Sequence, residues 1–182
     1  MRGKKGVQLA INSVVIIILA VAALAFGVRL IYGIFSGGEE VLDSITPSQE
    51  AQLDSLLEKE RIAASPSSRQ VNKGKETSFA LGILNTGQAA NFLVNASISA
   101  GYGGDEEILY YDYSNFALSY IDNYVINQGE KEKFLLIASV PGEAPDGVYI
   151  INVYVCSGDE FPSSCSKENL YSNIEKLYLV VG

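Results

Sequence analysis

The chain contains no histidine and only two cysteines among its 182 residues. Histidine is the commonest general base near neutral pH and the commonest protein ligand of metal ions, so its absence argues against hydrolytic and metal-dependent chemistry. The carboxylates that remain stand without a nucleophile motif, an oxyanion motif or a phosphate-binding loop. We therefore expect a protein that is not an enzyme and that uses no metal or other cofactor.

Acidic residues are missing from the first 35 positions, which hold Arg2, Lys4, Lys5 and Arg29. The residues that follow carry nine basic and 21 acidic side chains, a net charge of −12. A body this acidic repels polyanions, so nucleic acid is not an expected partner.

An apolar run extends over residues 10–28, where only Asn12 and Ser13 are polar. As a helix these 19 residues span about 28 Å, close to the hydrocarbon thickness of a bilayer. Arg29 is expected near the far headgroups with its stem along the helix. The basic residues before the run predict a cytoplasmic N-terminus. We expect a single-pass protein of the cell membrane, in contact with the lipid bilayer, whose C-terminal domain is extracellular.

The apolar run has three possible fates. A secretory signal would be cleaved after Ala23-Leu24-Ala25, which has the small-x-small pattern. The next residues, FGVRLIYGIF, stay apolar, whereas the chain after such a site is usually polar. Retention is therefore favoured, and an uncleaved anchor needs nothing beyond the hydrophobicity.

The third possibility rests on Lys4-Lys5-Gly6, which stands directly before Val7-Gln8 and the apolar run. A short basic leader that ends in glycine and precedes a retained hydrophobic stretch resembles the class III signal peptide of archaeal type IV pilins and archaellins. The resemblance implies that a prepilin-type peptidase cleaves between Gly6 and Val7 on the cytoplasmic side of the membrane.

Archaeal pilins often continue with the pattern Gln-x-Ser-x-Glu-x-x-x-Leu, and Gln8, Ala10, Asn12 and Ile16 stand at those offsets here. The resemblance implies that the family's glutamate pairs with the N-terminal ammonium of a neighbouring subunit when helices bundle. The neutral amide of Asn12 cannot neutralise such a buried charge. Gln8, Asn12 and Arg29 are the expected assembly and anchor residues, and processing is better supported than polymerisation.

A linker and a short amphipathic helix are expected within residues 36–67. In TPSQEAQLDSLLEKERIAA, Thr46 is a good N-cap, Pro47 suits the first helical position, and Gln49 completes a capping box. Ser65-Pro66-Ser67-Ser68 then indicates a linker.

The helix carries a narrow apolar stripe of Leu53, Leu56 and Leu57. One short patch of this kind cannot hold a coiled coil. We therefore expect the stripe to pack on the chain's own outer domain rather than on a second subunit.

The outer domain, residues 68–182, shows the period of strands. Alternating apolar residues around Phe79 and Val94, and the segments LLIASV, VYIINVYV and LYLVV, predict about seven short strands separated by turn signals. This spacing is typical of a β-sandwich with Greek-key connections. The predicted fold is mainly β: a basic leader (1–6), an N-terminal transmembrane helix (7–35), a linker with a short amphipathic stalk helix (36–67) and a β-sandwich (68–182).

Two stretches, KGKETSFALGILNTGQAANFLVNASIS and NQGEKEKFLLIASVPGEAPDGVYIINVYV, resemble the two halves of the immunoglobulin-like domains common on archaeal and bacterial surfaces. The resemblance implies an adhesive or spacer role. We expect Gly147 to permit a turn, and Tyr149 to place its ring at the sheet edge with the hydroxyl in water.

Cys156 and Cys165 flank the loop SGDEFPSS, which contains no basic residue that would lower a thiol pKa. An even count outside the membrane favours a disulfide over a reactive thiol pair. Asn95-Ala96-Ser97 is the single sequon in the chain, so Asn95 is a candidate for glycosylation.

Tyrosines are dense between residues 102 and 124 and include Tyr102, Tyr110, Tyr111 and Tyr113. Packing within the sandwich and an exposed contact surface both account for them, because tyrosine offers a large rigid area with a polar tip. The acidic residues at 105–107 indicate a solvated loop more than a calcium site.

Two functions fit these patterns. In the first, the chain is a pilin-like structural or adhesive protein that self-assembles into filaments. In the second, it is a non-polymerising, single-pass surface protein whose outer domain binds an envelope or cell-surface partner.

Overall fold

A computed structural model of the protein describes residues 20–21, 44–104 and 107–182. The chain divides into two units, Met1–Val41 and Leu42–Gly182. Within the first unit only Ala20 and Val21 are described, and both are helical. Among the described residues, no helix has the length and apolar character that crossing a membrane requires. The predicted cleavage, assembly and anchor positions lie outside the described residues: Gly6, Val7, Gln8, Asn12 and Arg29.

The second unit begins with one helix and continues as strands. In chain order the described elements are α1 (Pro47–Leu57), β1 (Ile62–Ser65), β2 (Ser68–Val71), β3 (Glu76–Leu84), β4 (Ala90–Tyr102), a 3₁₀ turn (Tyr113–Asn115), β5 (Ala117–Ser119), β6 (Asn123–Ile126), β7 (Lys131–Ser139), β8 (Gly147–Gly158) and β9 (Glu175–Val181).

The strands form two sheets. Sheet 1 has the order β1-β3-β7-β5 and is antiparallel throughout. Sheet 2 has the order β2-β9-β8-β4-β6, in which β2 runs parallel to β9 and the other neighbours are antiparallel. Consecutive strands often change sheet, as β3 to β4 and β7 to β8 do. The expectation of an immunoglobulin-like β-sandwich is thereby confirmed.

The core lies between the sheets and is built by strand alternation. Phe79, Leu81 and Ile83 of β3 face Phe92 and Val94 of β4, with further apolar side chains from β7, β8 and β9. The intervening residues of β3 are buried as well, because α1 covers the outer face of sheet 1. β3 therefore shows continuous burial although its residue types alternate.

Helix α1 begins as the sequence predicts. The Thr46 hydroxyl accepts from the Gln49 backbone N–H at 3.4 Å, and the Gln49 side chain accepts from the Thr46 N–H at 3.1 Å, which completes the capping box. Leu53 and Leu57 are fully buried against Ala63 and Ala80.

The expectation that the stripe packs on its own domain is confirmed for Leu53 and Leu57. It is wrong for Leu56, which is 39% exposed. Gly82 allows the helix to pack closely on sheet 1, because a Cβ at this position would lie only 2.7 Å from a terminal carbon of Leu57.

Two local expectations are wrong. The segment expected to continue the helix as far as Ala64, and to be a linker at Ser65–Ser68, forms β1 and the start of β2. All four β1 residues are buried, because α1 covers one side and the core lies on the other. Sheet pairing with β3 overrides the helix propensity of Ala63 and Ala64.

Tyr149 lies in the core rather than at a wet sheet edge. The Tyr149 side chain is fully buried, and its hydroxyl donates to the Pro145 carbonyl at 2.7 Å. Burial raises the pKa of Tyr149 to about 12, so the hydroxyl stays protonated as a donor. Nearby Gly147 is required by close packing, because a Cβ there would overlap the Tyr102 carbonyl oxygen.

Candidate functional surfaces

The predicted disulfide between Cys156 and Cys165 is formed, with the two Cα atoms 5.6 Å apart. Cys156 is fully buried on β8, and the bond closes a loop against the start of β4. The Asn91 side chain donates to the Asp159 carbonyl of this loop at 2.6 Å. The disulfide and this hydrogen bond thus attach a long irregular segment to sheet 2.

Asn95, the predicted glycosylation residue, is exposed on β4. Across the strand pair it stands opposite Tyr154 of β8. Ser97, the third sequon residue, is exposed on the same strand. The sequon is therefore accessible on the outer face of sheet 2, and its modification remains a prediction.

Tyrosine hydroxyls bond to backbone groups along the outer edge of β4, where β6 stops pairing at Leu93. The Ala96 N–H donates to the Tyr120 hydroxyl at 2.9 Å. The Gly101 N–H donates to the Tyr113 hydroxyl, also at 2.9 Å, and this hydroxyl in turn donates to the Leu109 carbonyl at 2.7 Å. These contacts partly replace the hydrogen bonds that a neighbouring strand would make.

The four predicted interface tyrosines differ in their surroundings. Tyr111 packs edge-on against Phe116, and Tyr113 packs edge-on against Tyr149, so both contribute to the sandwich. Tyr102 is half-buried at the end of β4. Tyr110 is 97% exposed, and neighbouring Ile108 is 56% exposed. Only Tyr110 among the four presents nearly its whole ring to solvent.

The mixed placement supports both interpretations of this segment in part. The role of this segment as an interface stays a prediction, and it rests on the exposed ring of Tyr110. Of the acidic run beside it, residues 105 and 106 lie outside the described residues, and Glu107 is exposed.

Charged side chains hold α1 against β7. Lys133 pairs with Asp54 at 2.8 Å and with Glu50 at 3.1 Å, and Lys131 pairs with Asp54 at 3.0 Å. The hydrogen bonds from Lys133 and then Lys131 lower the pKa of Asp54, and the bond to Asp54 raises the pKa of Lys133.

A groove of about 470 Å³ lies beside the start of α1 on the outer face of sheet 1. Its lining includes Ile45, Ile121, Tyr124 and Leu135, and Ile121 is 64% exposed. The apolar walls make it a docking candidate, although no feature of the described residues indicates an occupant.

A second recess, of about 710 Å³, lies between the end of α1 and the loop before β9. Lys59, Arg61 and Lys167 line it together with Glu60 and Glu175. Burial, and next the charge of Glu60, raise the pKa of Glu175. The mixture of charges gives this recess no clear preference for an anion or a cation.

The surfaces predicted from the sequence did not include the outer face of sheet 2. The strands β2, β9, β8 and β4 contain one acidic residue, Glu175, and it lies on the side of the buried Leu177 and Leu179. The outward side of these four strands therefore carries no carboxylate. The alternation in NASIS and VYIINVYV was the signal that could have revealed this face.

Neither a known protein family nor a curated protein matches this sequence. Several solved structures are similar in shape. The ASH / PapD-like domain of human CEP192 has 15% identity and a TM-score of 0.43, over 66% of this chain and 83% of that chain. A chain in the structure of the Salmonella enterica SafA pilin in complex with the SafB chaperone has 14% identity and a TM-score of 0.42, over 66% of this chain and 53% of that chain.

A third similar structure is self-complemented MyfA, the major subunit of Myf fimbriae from Yersinia enterocolitica, in complex with galactose. It has 13% identity and a TM-score of 0.36, over 65% of this chain and 94% of that chain. At such values the similarities describe the shape of the sandwich and say nothing about function.

Proposed function

We propose that this chain is a membrane-anchored, extracellular, pilin-like protein with a structural and adhesive role, and that it is a subunit of a surface filament. Its apolar run anchors it, with the N-terminus in the cytoplasm, and a prepilin-type peptidase removes the leader. The immunoglobulin-like sandwich acts through mechanical and adhesive contacts rather than through catalysis.

One observation carries the proposal, namely the basic leader ending in Gly6 directly before a long apolar run. A cleavage point in front of the hydrophobic stretch keeps that stretch in the mature protein, where it serves as an anchor or a bundling helix. The disulfide supports an extracellular sandwich, because disulfides persist in oxidising compartments.

Asn12 favours a second candidate, a non-polymerising single-pass surface protein that holds its outer domain for binding to an envelope or cell-surface partner. An amide at this position cannot neutralise the N-terminal ammonium of a neighbouring subunit. The filament then has to form without that ion pair, whereas the anchored protein does not need it.

The test is the N-terminal peptide and intact mass of the protein from membrane and sheared-surface fractions of its native host. We expect a mature chain that begins at Val7 and is present in the sheared fraction. A mature Val7 end confined to membranes would favour the second candidate. An intact Met1 end confined to membranes would contradict prepilin-type processing.

The leader offers a matched pair of variants for this test. Gly6→Val should block cleavage and leave the leader attached, because the resemblance places the cut after this glycine. Gly3→Val makes the same substitution three residues earlier and should be processed normally. Equal processing of both variants would place the cleavage site elsewhere.

A further inference from the structure

The outward side of β2, β9, β8 and β4, which we call the carboxylate-free face, differs from the rest of the described surface. Its central side chains are Asn95, Ser97, Asn152, Tyr154, Lys176 and Tyr178. Lys176 is the only charged group among the outward residues of these strands. The opposite side of the sandwich presents Glu50 and Asp54 of α1 and the next residue after the helix, Glu58.

Charge decides which surfaces of two copies can approach each other. The outer domain, residues 68–182, carries seven basic and 14 acidic side chains, a net charge of −7, so two outer domains repel each other over most orientations. Like charges facing each other across an interface disfavour the contact. Two carboxylate-free faces that approach each other bring together no carboxylate of these four strands, so they repel each other less than two acidic surfaces do.

The composition of the face is that of a contact surface. Tyr154 and Tyr178 supply rigid ring area, Asn95 and Ser97 supply adaptable polar groups, and Ile150 adds apolar area at the centre. Tyrosine is enriched at protein interfaces, and serine and asparagine provide adaptable hydrogen bonding in recognition surfaces.

Asn152 supplies a separate observation at the centre of this face. It stands opposite Ser97 on one side and Lys176 on the other. Its Oδ1 atom is buried and, among the described residues, has no hydrogen-bond partner. Buried polar atoms in native proteins normally have a partner, so Oδ1 gains a missing hydrogen bond if the amide rotates to the surface and meets a donor of a second copy.

The dimensions of the face permit a weak but specific contact. Four strands at about 4.8 Å spacing and seven paired residues at about 3.4 Å give a face of roughly 20 by 24 Å. Two such faces enclose on the order of 1,000 Å², the lower limit of specific interfaces. A contact of this size suits neighbours in an array, where anchoring in one membrane raises their effective concentration.

We propose that the carboxylate-free face binds the same face of a second copy of this chain. The inference deepens the proposed function, and rests on the self-association in it, by naming the surface through which outer domains meet. Asn95 lies on this face, so a glycan on Asn95 and the contact exclude each other.

The test measures self-association of the full chain, purified in detergent micelles, by sedimentation equilibrium. Ser99 is exposed at the register shift of β4, and its hydroxyl donates to the Ile150 carbonyl of this face at 3.2 Å. The Ser97→Glu/Ser99→Glu variant therefore adds two carboxylates to each face, more than the single Lys176 can balance. Ser48→Glu/Ser55→Glu makes the same change at exposed positions of α1 and is the matched control. We expect the face variant to weaken association at least about tenfold and the control to match the wild type.

A mixing experiment identifies the partner surface. Ser97→Lys/Ser99→Lys chains mixed with Ser97→Glu/Ser99→Glu chains should associate more tightly than either variant alone, because opposite charges then face each other. Thermal unfolding by circular dichroism should show all variants folded, since the substituted serines are exposed.

Equal association of the face variant and the control would overturn the proposal, as would a monomeric wild type. Failure of the mixture to restore association would show that the face meets a different surface. A glycan on Asn95 in protein from the native host would also overturn it. These outcomes differ from failure of the proposed function, which is seen in the N-terminal processing and the cell fraction.

Discussion

Tyr113 connects three parts of the domain through one hydroxyl, which accepts from the Gly101 N–H and donates to the Leu109 carbonyl. Tyr113→Phe removes both bonds and leaves a partly buried N–H without its acceptor. We expect a loss of about 1–3 kcal/mol in the free energy of unfolding, measured by urea titration.

Tyr110→Phe is the matched control, since its ring is 97% exposed and its hydroxyl faces water. This variant should leave the midpoint unchanged. Equal effects of the two substitutions would show that the two hydrogen bonds of the Tyr113 hydroxyl do not stabilise the edge of β4.

Glu175 gives a prediction about pH. Its pKa is raised by burial and then by Glu60, so the folded state holds the proton to higher pH than the unfolded chain does. Stability therefore falls as pH rises from the ordinary glutamate pKa through the raised value, and the loss remains at neutral pH. Glu175→Gln removes this loss and should raise the melting temperature at pH 7.

The gain should be below about 1 kcal/mol, because the side chain is only partly buried and solvent screens it. It should disappear below about pH 4, where the wild-type carboxyl is protonated in both states. Glu168→Gln, an exposed carboxyl in the preceding loop, is the control. A gain that is equally large at both pH values would contradict the titration argument.

Helix α1 is held mainly by two of its three stripe leucines. Leu53→Ala removes a fully buried side chain and leaves a cavity against Ala63 and Ala80, so we expect a loss of about 2–5 kcal/mol in unfolding free energy. Leu56→Ala truncates the same residue type at a site that is 39% exposed and should cost much less. Denaturant titration of both variants distinguishes the two sites, and similar losses would show that α1 is not anchored as described.

The sequence predicted the elements whose signals are local and missed those that depend on tertiary contacts. The capping box at Thr46 and Gln49 placed the start of α1, because cap residues act on their own turn. The predicted end of α1 was wrong, because Ile62–Ser65 becomes a strand only by pairing with β3 beneath the helix. Tyr149 was misplaced for a similar reason, as its acceptor and burial depend on how the Pro145 turn folds over it.

The same distinction applies to the candidate surfaces. The disulfide was predictable because only two cysteines exist and they lie close in sequence. The carboxylate-free face was harder to see, because it joins residues from four strands whose order in the sheet is not written in any local pattern.

At the scale of the whole molecule, the disulfide closes a loop at the start of the irregular segment between β8 and β9. The Cys156→Ser/Cys165→Ser variant should lose about 2–3 kcal/mol of unfolding free energy, since the unfolded chain regains the freedom of the open loop. Urea titration of the oxidised wild type and the variant measures this loss. Addition of a reductant should destabilise the wild type and leave the variant unchanged, and an equal response of both would contradict the assignment.

The position of α1 determines how the sandwich responds to tension. A pull that reaches the domain through Ser44 acts first on the start of α1 and only afterwards on a strand. The ion pairs to Lys133 and the packing contacts of Leu53 and Leu57 would then break in turn, from the N-terminal end of the helix towards its C-terminal end. The helix would lengthen the tether while both sheets stay folded, so the domain could absorb a sudden load without losing its outer surfaces.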